Sequence, residues 1–339
     1  MPPNETTSVQ HIETTRRLPA FASFREVLDN AHPGEALASK QFYALVDGDY
    51  STPMTDKLLD CRSRAWFIRN EDTGHVRIAS KQCRLRWCFH CSEARQQFIT
   101  QSVLPWFQKA KMPRLLTVTL KHTQNPLDEQ IDILYKSFAK LRNRKICKDA
   151  IRGGVWFFQV TYNSSTGEWH PHIHALLDAE YMLHAKLMSD WYDLTGDSTI
   201  VHIRNVDDPE RTLKHNARYA ARPSALLKIP KSLWKELYYA FDGRRICGTW
   251  GSARKISLRP SKPEDSGKWH DIGGFRSVIA LKDEDDNARA IFDSWTLGIP
   301  LPEGINMNDL GEQITDYAEK TRPPPEWKTQ NNFDYVEFN

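Results

Sequence analysis

The sequence predicts an α+β protein whose central sheet is largely antiparallel and flanked by helices, with a small metal-binding module beside it. Runs of β-branched and apolar residues alternate with segments of helical periodicity, in the order strand, helix, hairpin, helix, strand, helix. Four of the six cysteines lie within residues 61–91, a clustering typical of metal ligation. With 339 residues, the chain is long enough to bury a sizeable core and to hold more than one domain.

The first predicted elements are a helix, a strand and a second helix. Residues 92–111 have a helical pattern of apolar positions, and residues 114–121 (RLLTVTLK) are rich in residues that favour strands. Apolar residues recur at steps of three and four over 126–146, which predicts a long amphipathic helix. Pro126 suits the first turn of that helix.

An antiparallel hairpin is expected next. Residues 155–163 (VWFFQVTYN) and 168–177 (EWHPHIHALL) have strand character and flank the turn-forming residues 164–167 (SSTG). The remaining elements of the predicted core are a helix over about 180–194, a strand over 199–205 and a helix over 209–222.

These elements divide the chain into six predicted segments. They are a mobile N terminus (1–20), an N-terminal helical extension (21–60), a Cys-rich module (61–111), the α+β core (112–250), a C-terminal extension (251–299) and an acidic tail rich in Pro and Asn (300–339).

The charge of the chain is unevenly distributed. The formal net charge is only +3, yet residues 61–160 contain 19 Lys and Arg against 7 Asp and Glu, whereas residues 301–339 contain 3 against 8. A basic body favours a polyanionic partner, although a solvated basic surface is an equal alternative on charge alone. The sequence has no apolar run long enough for a membrane span and no secretory leader, so we expect a soluble, cytoplasmic protein without a membrane partner.

The most informative segment is the strand HPHIHALL. Because side chains alternate along a strand, His170, His172 and His174 point to one face, while Ile173 and Ala175 point to the other. Two imidazoles two residues apart can bind one divalent ion. Three partly exposed histidines on a sheet face, satisfied by water or a carboxylate, are the structural alternative.

Two chemistries use such a histidine strand. In the first, an HxH pair holds Mg²⁺ or Mn²⁺, which polarises a scissile phosphate while a tyrosine attacks it. In the second, three histidines bind a nucleotide and the middle one attacks its α-phosphate. The residues of the strand itself fit both.

A tyrosine-bearing helix follows at 209–222 (PERTLKHNARYAAR). Asp207 or Asp208 is expected to cap its start. Tyr219 lies one turn after His215 and one turn before Arg222, so the three side chains share a face. A tyrosine hydroxyl has a pKa near ~10, and its attack on a phosphodiester therefore needs cationic help. An ordinary amphipathic helix with a half-buried tyrosine is the alternative for this segment alone.

The cysteine cluster predicts a structural zinc site. Cys61, Cys83, Cys88 and Cys91 supply four thiolates, and His90 is a further candidate ligand. Zinc would lock a loop-rich module that cannot make a core of its own. Buried free thiols are the alternative.

Basic and aromatic residues of this module and of the following helix are predicted to contact DNA. Arginines bind phosphates, and an exposed aromatic ring can stack on an unpaired base. The predicted contacts are Arg84, Arg86, Trp87 and Arg95 in the module and Lys140, Arg142 and Arg144 in the helix.

Taken together, LLTVTL, FFQVTYN, HPHIHALL and the helical RYAAR resemble the HUH endonucleases, and most closely the single-tyrosine replication initiator (Rep) proteins of rolling-circle plasmids. The segment CRLRWCFHC, followed by SEAR, resembles the Cys-rich region upstream of that family's nuclease core. The resemblance covers about residues 61–250. It implies a ferredoxin- or RRM-like HUH core and an enzyme that nicks and rejoins single-stranded or hairpin origin DNA through a 5′-phosphotyrosine link.

The resemblance also implies roles for individual residues. His172 and His174 would hold Mg²⁺ or Mn²⁺, and Tyr219 would be the nucleophile. Gln159 stands where the family usually has a glutamate, so its place as third metal ligand is a hypothesis. His170 would complete the coordination or orient a ligand.

Two further departures concern the tyrosine helix. Small-plasmid members of the family have a glutamate one turn before the tyrosine, where this chain has His215, which can act as the base. The basic residue three positions after the tyrosine is commonly lysine in the family and is Arg222 here, so the charge is kept.

The expected partners and the alternatives follow from the same motifs. No Walker A string is present, so unwinding would need a host helicase, and a host DNA polymerase would extend the freed 3′-hydroxyl. An HUH-type single-tyrosine transposase or relaxase shares the chemistry. From other classes, a histidine-triad nucleotide hydrolase or transferase would need neither zinc nor DNA, and a zinc-stabilised DNA-binding regulator would bind without cleaving.

Overall fold

The computed structural model describes residues 23–25, 33–48, 54–219, 223–259 and 267–307. The predicted mobile N terminus and most of the acidic tail lie outside these ranges. The described chain forms two antiparallel sheets flanked by helices, which confirms the predicted α+β class. The helices are α1 (Pro33–Asp47), α2 (Met54–Leu59), α3 (Phe89–Gln108), α4 (Leu127–Leu141), α5 (Lys145–Ala150), α6 (His184–Thr195), α7 (Pro209–Tyr219), α8 (Trp234–Phe241), α9 (Phe275–Leu281) and α10 (Asp286–Leu297). The strands are β1 (Ala65–Asn70), β2 (Val76–Ser80), β3 (Pro113–Thr119), β4 (Ile151–Asn163), β5 (Glu168–Ala179), β6 (Val201–Asn205), β7 (Cys247–Gly251) and β8 (Trp269–Gly274).

The larger sheet has five strands in the order β6-β3-β5-β4-β7, with every neighbouring pair antiparallel. Its centre is the predicted hairpin, in which Asn163 pairs with Glu168 across the turn 164–167. The histidine strand β5 has 12 residues and pairs along its length with the 13-residue β4. On its other side the seven-residue β3 pairs with it from His172 to Asp178.

The long helix predicted over 126–146 is two helices, α4 and α5. At the end of α4 the Asn143 side chain donates a 2.9 Å hydrogen bond to the carbonyl of Ala139. Asn favours such local bonds to the backbone over continued helix. The helical periodicity of the apolar residues gives no sign of this break, so it does not indicate where the first helix ends.

Helices cover both faces of the five-stranded sheet. On the face opposite the histidines, Tyr135 and Phe138 of α4 pack edge-to-face against Trp156 of β4, with ring centroids 5.3 and 6.4 Å apart. On the histidine face, α7 packs against α3 and contacts β4. This layering buries the apolar side of β5 and leaves its histidine side next to α7.

The smaller sheet has three strands in the order β2-β1-β8 and a core of its own. Phe67 of β1, Ile78 of β2 and Ile272 of β8 are buried together with side chains of α9 and α10. Strands from the predicted Cys-rich module therefore share a sheet with a strand from the predicted C-terminal extension. Among the described residues, no helix combines the length and the apolar character that crossing a membrane requires.

Candidate functional site

The three histidines of β5 lie on one face of the sheet, as the alternation of strand side chains predicts. The intervening Ile173 and Ala175 are buried on the opposite face, at 1% and 0% exposure. On the histidine face, Gln159 of β4 pairs directly with His172, and Thr117 of β3 pairs directly with His174. The neighbouring strands therefore contribute polar side chains to the same surface.

Three ligand atoms converge on this face. Gln159 Oε1 lies 3.0 Å from His172 Nε2 and 3.1 Å from His174 Nε2. His172 is only 8% exposed, whereas His174 and Gln159 are half-buried, so the cluster is partly accessible to solvent. The pairing of β4 with β5 thus brings two imidazole nitrogens and one amide oxygen together.

The hydrogen bonds of the rings fit a divalent cation. His172 Nδ1 faces the carbonyl oxygen of His170 at 3.1 Å, and a carbonyl can only accept, so the neutral ring carries its proton on Nδ1. The lone pair of Nε2 then points at Gln159 Oε1, which is also an acceptor. Ligands about 2.1 Å from an octahedral Mg²⁺ lie about 3.0 Å apart when adjacent, which matches the distance observed between these two acceptors.

Burial keeps the two imidazoles in their ligand form. Desolvation, followed by the neighbouring His174, lowers the pKa of His172 to about 3. Desolvation, followed by the nearby His215, lowers the pKa of His174 to about 4. Both rings are therefore neutral near pH 7, as metal binding requires.

His170 lies on the same face but outside this cluster. Its Nε2 is 2.8 Å from the Thr119 hydroxyl, and its Nδ1 is 3.5 Å from the Thr161 hydroxyl. The ring of His122 lies beside it, with centroids 4.3 Å apart. Both ring nitrogens of His170 contact threonine hydroxyls. His170 therefore fits a supporting position beside the ligand cluster better than a place among the metal ligands.

Several polar neighbours of the histidines were not singled out from the sequence. The Thr117 hydroxyl is 2.9 Å from His174 Nδ1 and holds that ring in place. Thr119 and His122 flank His170. The alternating pattern LTVTL indicates the two threonines, because Thr117 and Thr119 occupy every second position of β3, the strand that pairs with the histidine strand.

The tyrosine helix begins as predicted. Asp208 Oδ1 accepts a 2.9 Å hydrogen bond from the backbone N–H of Arg211 and caps α7. His215 lies close enough to His174 to affect its pKa, which places the middle of α7 beside the ligand cluster. Tyr219 is the last residue of α7, whereas Arg222 lies outside the described residues.

A shallow concavity of about 390 Å³ runs along α7. It is open to solvent and is lined by residues of both charges, among which the basic groups predominate. The lining residues are Asp208, Glu210, Arg211, Lys214, His215 and Arg218.

The four cysteines predicted to bind zinc form one cluster. Cys91 Sγ lies 3.7 Å from Cys61 Sγ and 3.6 Å from Cys83 Sγ, and Cys88 Sγ lies 3.7 Å from Cys61 Sγ. With a Zn–S distance of about 2.3 Å, the edges of a tetrahedral site are about 3.8 Å. All four sulfurs lie within 4.8 Å of one another, so the cluster has the dimensions of a four-thiolate metal site. His90 does not belong to this group of ligand atoms.

The long gap between Cys61 and Cys83 has a structural explanation. Strands β1 and β2 form a hairpin within it, with Ala65 paired to Ser80 at its base. Hydrogen bonds from Cys61, Cys83 and Cys88 lower the pKa of the Cys91 thiol, so a thiolate is already favoured there. The cluster therefore closes the base of the hairpin and ties it to the start of α3.

The predicted DNA contacts of the module fall in different environments. Arg84 is exposed, and Arg95 is half-buried in the second turn of α3. Arg86 donates a 3.0 Å hydrogen bond to the carbonyl of Arg244 and lies over the Phe241 ring.

Trp87 is a core residue. It is 3% exposed, and its ring packs against Phe42 and Phe241 at centroid distances of 5.7 and 5.6 Å. A nucleic-acid base cannot stack on a ring enclosed in this way, so we assign Trp87 to packing and not to DNA contact.

The predicted contacts near the end of α4 also differ from one another. Lys140 is exposed. Arg142 lies over the rings of Phe138 and Trp250, and burial lowers the pKa of its guanidinium. Arg144 lies 4.0 Å from a carboxylate oxygen of Asp190. Only Lys140 of the three is fully presented to solvent.

Comparison with known proteins identifies the family. Residues 75–297 match the family described as "Replication protein". Three similar proteins are each named "Protein rep". The one from Staphylococcus aureus is 26% identical over 198 residues, which cover 52% of this chain and 86% of the relative. The one from Streptococcus pneumoniae is 24% identical over 242 residues, 62% of this chain and 73% of the relative. The one from a Bacillus species is 26% identical over 150 residues, 42% of this chain and 47% of the relative.

No solved structure matches the chain. The family match covers well over half of the sequence and includes Cys83, Cys88 and Cys91, the histidine strand and the tyrosine helix, but it begins after Cys61. The chain is therefore a member of the replication protein (Rep) family of rolling-circle plasmid initiators.

Proposed function

We propose that this chain nicks and rejoins single-stranded origin DNA through a 5′-phosphotyrosine intermediate, in a metal-dependent reaction. Initiators of this family are nickases and strand transferases in general. The observation that carries the proposal for this chain is the convergence of His172, His174 and Gln159 beside α7, the helix that ends at Tyr219.

His172 Nε2, His174 Nε2 and Gln159 Oε1 would hold Mg²⁺ or Mn²⁺. When bound, the ion supplies a positive charge that stabilises the charge developing on a scissile phosphate. The chain positions these atoms through rigid strand pairing, and the Thr117 hydroxyl and the His170 carbonyl fix the ring orientations.

The proposed step conserves atoms and protons. The Tyr219 oxygen forms a bond to the scissile phosphorus, and the bond from phosphorus to the 3′ oxygen breaks. The phenol loses one proton and the leaving 3′ oxygen gains one, which frees a 3′-hydroxyl for a polymerase. His215, one turn before Tyr219 and close to His174, is our candidate for moving this proton, and Arg222 would add positive charge.

The cysteine cluster would bind a structural zinc ion. Its four sulfurs have tetrahedral spacing and leave no position for a substrate, as in closed structural sites. In this proposal the metal holds the β1–β2 hairpin and the start of α3 in place beside the DNA-binding surface. A host helicase and a host DNA polymerase would supply unwinding and synthesis.

The test is the formation of a covalent protein–DNA adduct. The full chain is incubated with labelled single-stranded DNA from the origin of its own replicon, with and without Mn²⁺, and resolved on a denaturing gel beside Tyr219→Phe. We expect a Mn²⁺-dependent adduct that is absent from Tyr219→Phe. An adduct that persists in Tyr219→Phe would refute the nucleophile, and tight binding without any adduct would favour the DNA-binding regulator.

The other members of the HUH class and the histidine triad give different results. A transposase or relaxase would form the same adduct but on DNA from its own element and not on a plasmid origin. A histidine-triad enzyme would turn over a small nucleotide, lose that activity with His172→Ala and bind no DNA.

A further inference from the structure

Four arginines gather at the β7 edge of the larger sheet. Arg86 and Arg95 come from the Cys-rich module and α3, and Arg245 and Arg259 flank β7 on either side. All four lie close enough to the Cys247 thiol at the start of β7 to affect its pKa. We call these four residues the arginine edge.

Contacts between the elements fix this arrangement. The Arg86 guanidinium donates a 3.0 Å hydrogen bond to the carbonyl of Arg244, directly before Arg245. At the other end, Trp106 Nε1 of α3 donates a 3.1 Å hydrogen bond to the Ser252 hydroxyl, which follows β7. The helix from Arg95 to Trp106 and the strand from Cys247 to Ser252 both span about 17 Å, so α3 runs alongside β7.

The positive charge of the arginine edge is only partly compensated within the described structure, by the Asp242 carboxylate near Arg86. Arg244 forms an ion pair with Asp132, but no carboxylate pairs with Arg95, Arg245 or Arg259 among the described residues. Arg245 and Arg259 are exposed. Burial raises the pKa of the Cys247 thiol, so this group stays neutral and adds no negative charge.

Strand pairing fixes the separation between the arginine edge and the ligand cluster. His174 pairs with Phe157 of β4, and Phe157 pairs with Cys247 of β7, so the three side chains occupy one row on the same face. Two strand spacings separate the ends of this row, a distance of about 10 Å. Phe157 is buried between the two ends, so this row gives the separation of the arginine edge from the ligand cluster and not the path of the DNA.

We propose that the arginine edge is a phosphate-binding subsite that holds the backbone of the single DNA strand at a fixed distance from the cleaved linkage. The inference rests on the proposed nicking function and adds a second anchoring point to it. Guanidinium groups suit this task because they bind phosphate oxygens in a planar, bidentate manner. Because the subsite contacts no base, it determines the position of the DNA strand on the protein and does not contribute to sequence recognition.

The test measures binding without chemistry. In the full chain with Tyr219→Phe, the affinity for a single-stranded origin oligonucleotide is measured against salt concentration by fluorescence anisotropy, with and without Arg245→Gln/Arg259→Gln. Each phosphate contact on a single strand contributes about 0.7 to the slope of log K against log salt, so we expect the slope to fall by about 1.4. The control is Lys148→Gln/Lys268→Gln, which removes the same charge from two exposed lysines elsewhere.

A second measurement locates the contact on the DNA. Oligonucleotides with one neutral methylphosphonate linkage at a time should show a loss of affinity at one or two adjacent linkages, and the arginine variant should no longer respond to them. A slope equal to that of the lysine control overturns the proposal. So does a lower slope without any position-specific response, because that result means diffuse attraction.

These outcomes are separable from the nicking function. Suppose that the chain with Tyr219 intact forms no adduct, but the arginine variant shows a reduced salt dependence of binding and no response to single methylphosphonate linkages. The subsite then stands and the nicking proposal fails. If adducts form and the variant matches the lysine control, the nicking proposal stands and the subsite fails.

Discussion

Gln159 Oε1 lies 3.0 Å from His172 Nε2, and the two residues are direct partners across β4 and β5. The backbone register brings an amide oxygen to the position from which a carboxylate would bind a cation most strongly. In the proposed metal site, this amide supplies a neutral ligand where a glutamate would supply a negatively charged one.

Gln159→Glu should tighten metal binding. A carboxylate attracts a divalent cation more strongly than an amide oxygen does, and we expect roughly a tenfold gain in Mn²⁺ affinity, about 1.4 kcal/mol. Isothermal titration with Mn²⁺ measures the change, and Gln159→Leu is the control that removes the ligand. Equal affinities for the glutamine and glutamate forms would place the ion elsewhere.

Thr117→Val should weaken metal binding although Thr117 is not itself a proposed metal ligand. The Thr117 hydroxyl lies 2.9 Å from His174 Nδ1, and loss of such an orienting partner typically costs about tenfold or more in affinity. The matched control is Thr161→Val, because Thr161 reaches only His170, at 3.5 Å. If both valine variants bind Mn²⁺ alike, the Thr117 contact does not position His174.

Cys91→Ser should release the zinc ion. Cys91 has the shortest of the sulfur contacts of the cluster and joins two of its other three members, so its loss opens the site. We expect the zinc content to fall from about one ion per chain to near none, with a lower melting temperature. Cys147→Ser removes a buried thiol outside the cluster and should keep its zinc. Zinc retained at the parental level in Cys91→Ser would contradict the four-thiolate site.

Asp178→Asn should lower stability in a manner that depends on pH. The Arg152 guanidinium, with hydrogen bonds of 2.8 and 2.5 Å, holds the pKa of Asp178 below its ordinary value, and the backbone N–H of Met112 donates to the same carboxylate. A lowered pKa means that the stabilisation is present above the unfolded value of about 3.9 and is lost as pH falls below it.

Urea unfolding at several pH values measures this effect. At pH 7 the variant should unfold with about 1–2 kcal/mol less free energy than the parent. The difference should shrink as the pH falls below about 4. A difference that stays constant down to pH 3 would mean that the loss comes from packing and not from the charged pair.

The sequence was a good guide where local periodicity and local geometry coincide. Alternation placed His170, His172 and His174 on one face, and the turn residues 164–167 set the hairpin that puts Gln159 beside them. The capping of α7 by Asp208 was also predictable, because a cap depends on neighbours within one turn. Such features need no knowledge of the rest of the chain.

Features that depend on distant segments were not predictable in this way. Arginines surround Trp87 in sequence and suggest a surface position, but α1 covers the residue. Within α1, the Tyr43 hydroxyl accepts a hydrogen bond from the backbone N–H of Trp87, and the Ser39 hydroxyl donates one to the backbone carbonyl of Trp87. The pairing of β1 with β8 is of the same kind, because β8 comes from the other end of the described chain. Periodicity in one segment contains no information about such a partner.

The small sheet has a consequence for biosynthesis. Strand β1 pairs with β8 in a register that joins Asn70 to Trp269, about 200 residues away, and the whole larger sheet lies between them in sequence. The ribosome therefore releases the larger sheet before β8 is available, and until then β1 exposes an open strand edge. A chain that terminates early, before β8, keeps that edge permanently, so truncated translation products should self-associate even when the histidine strand and α7 are intact.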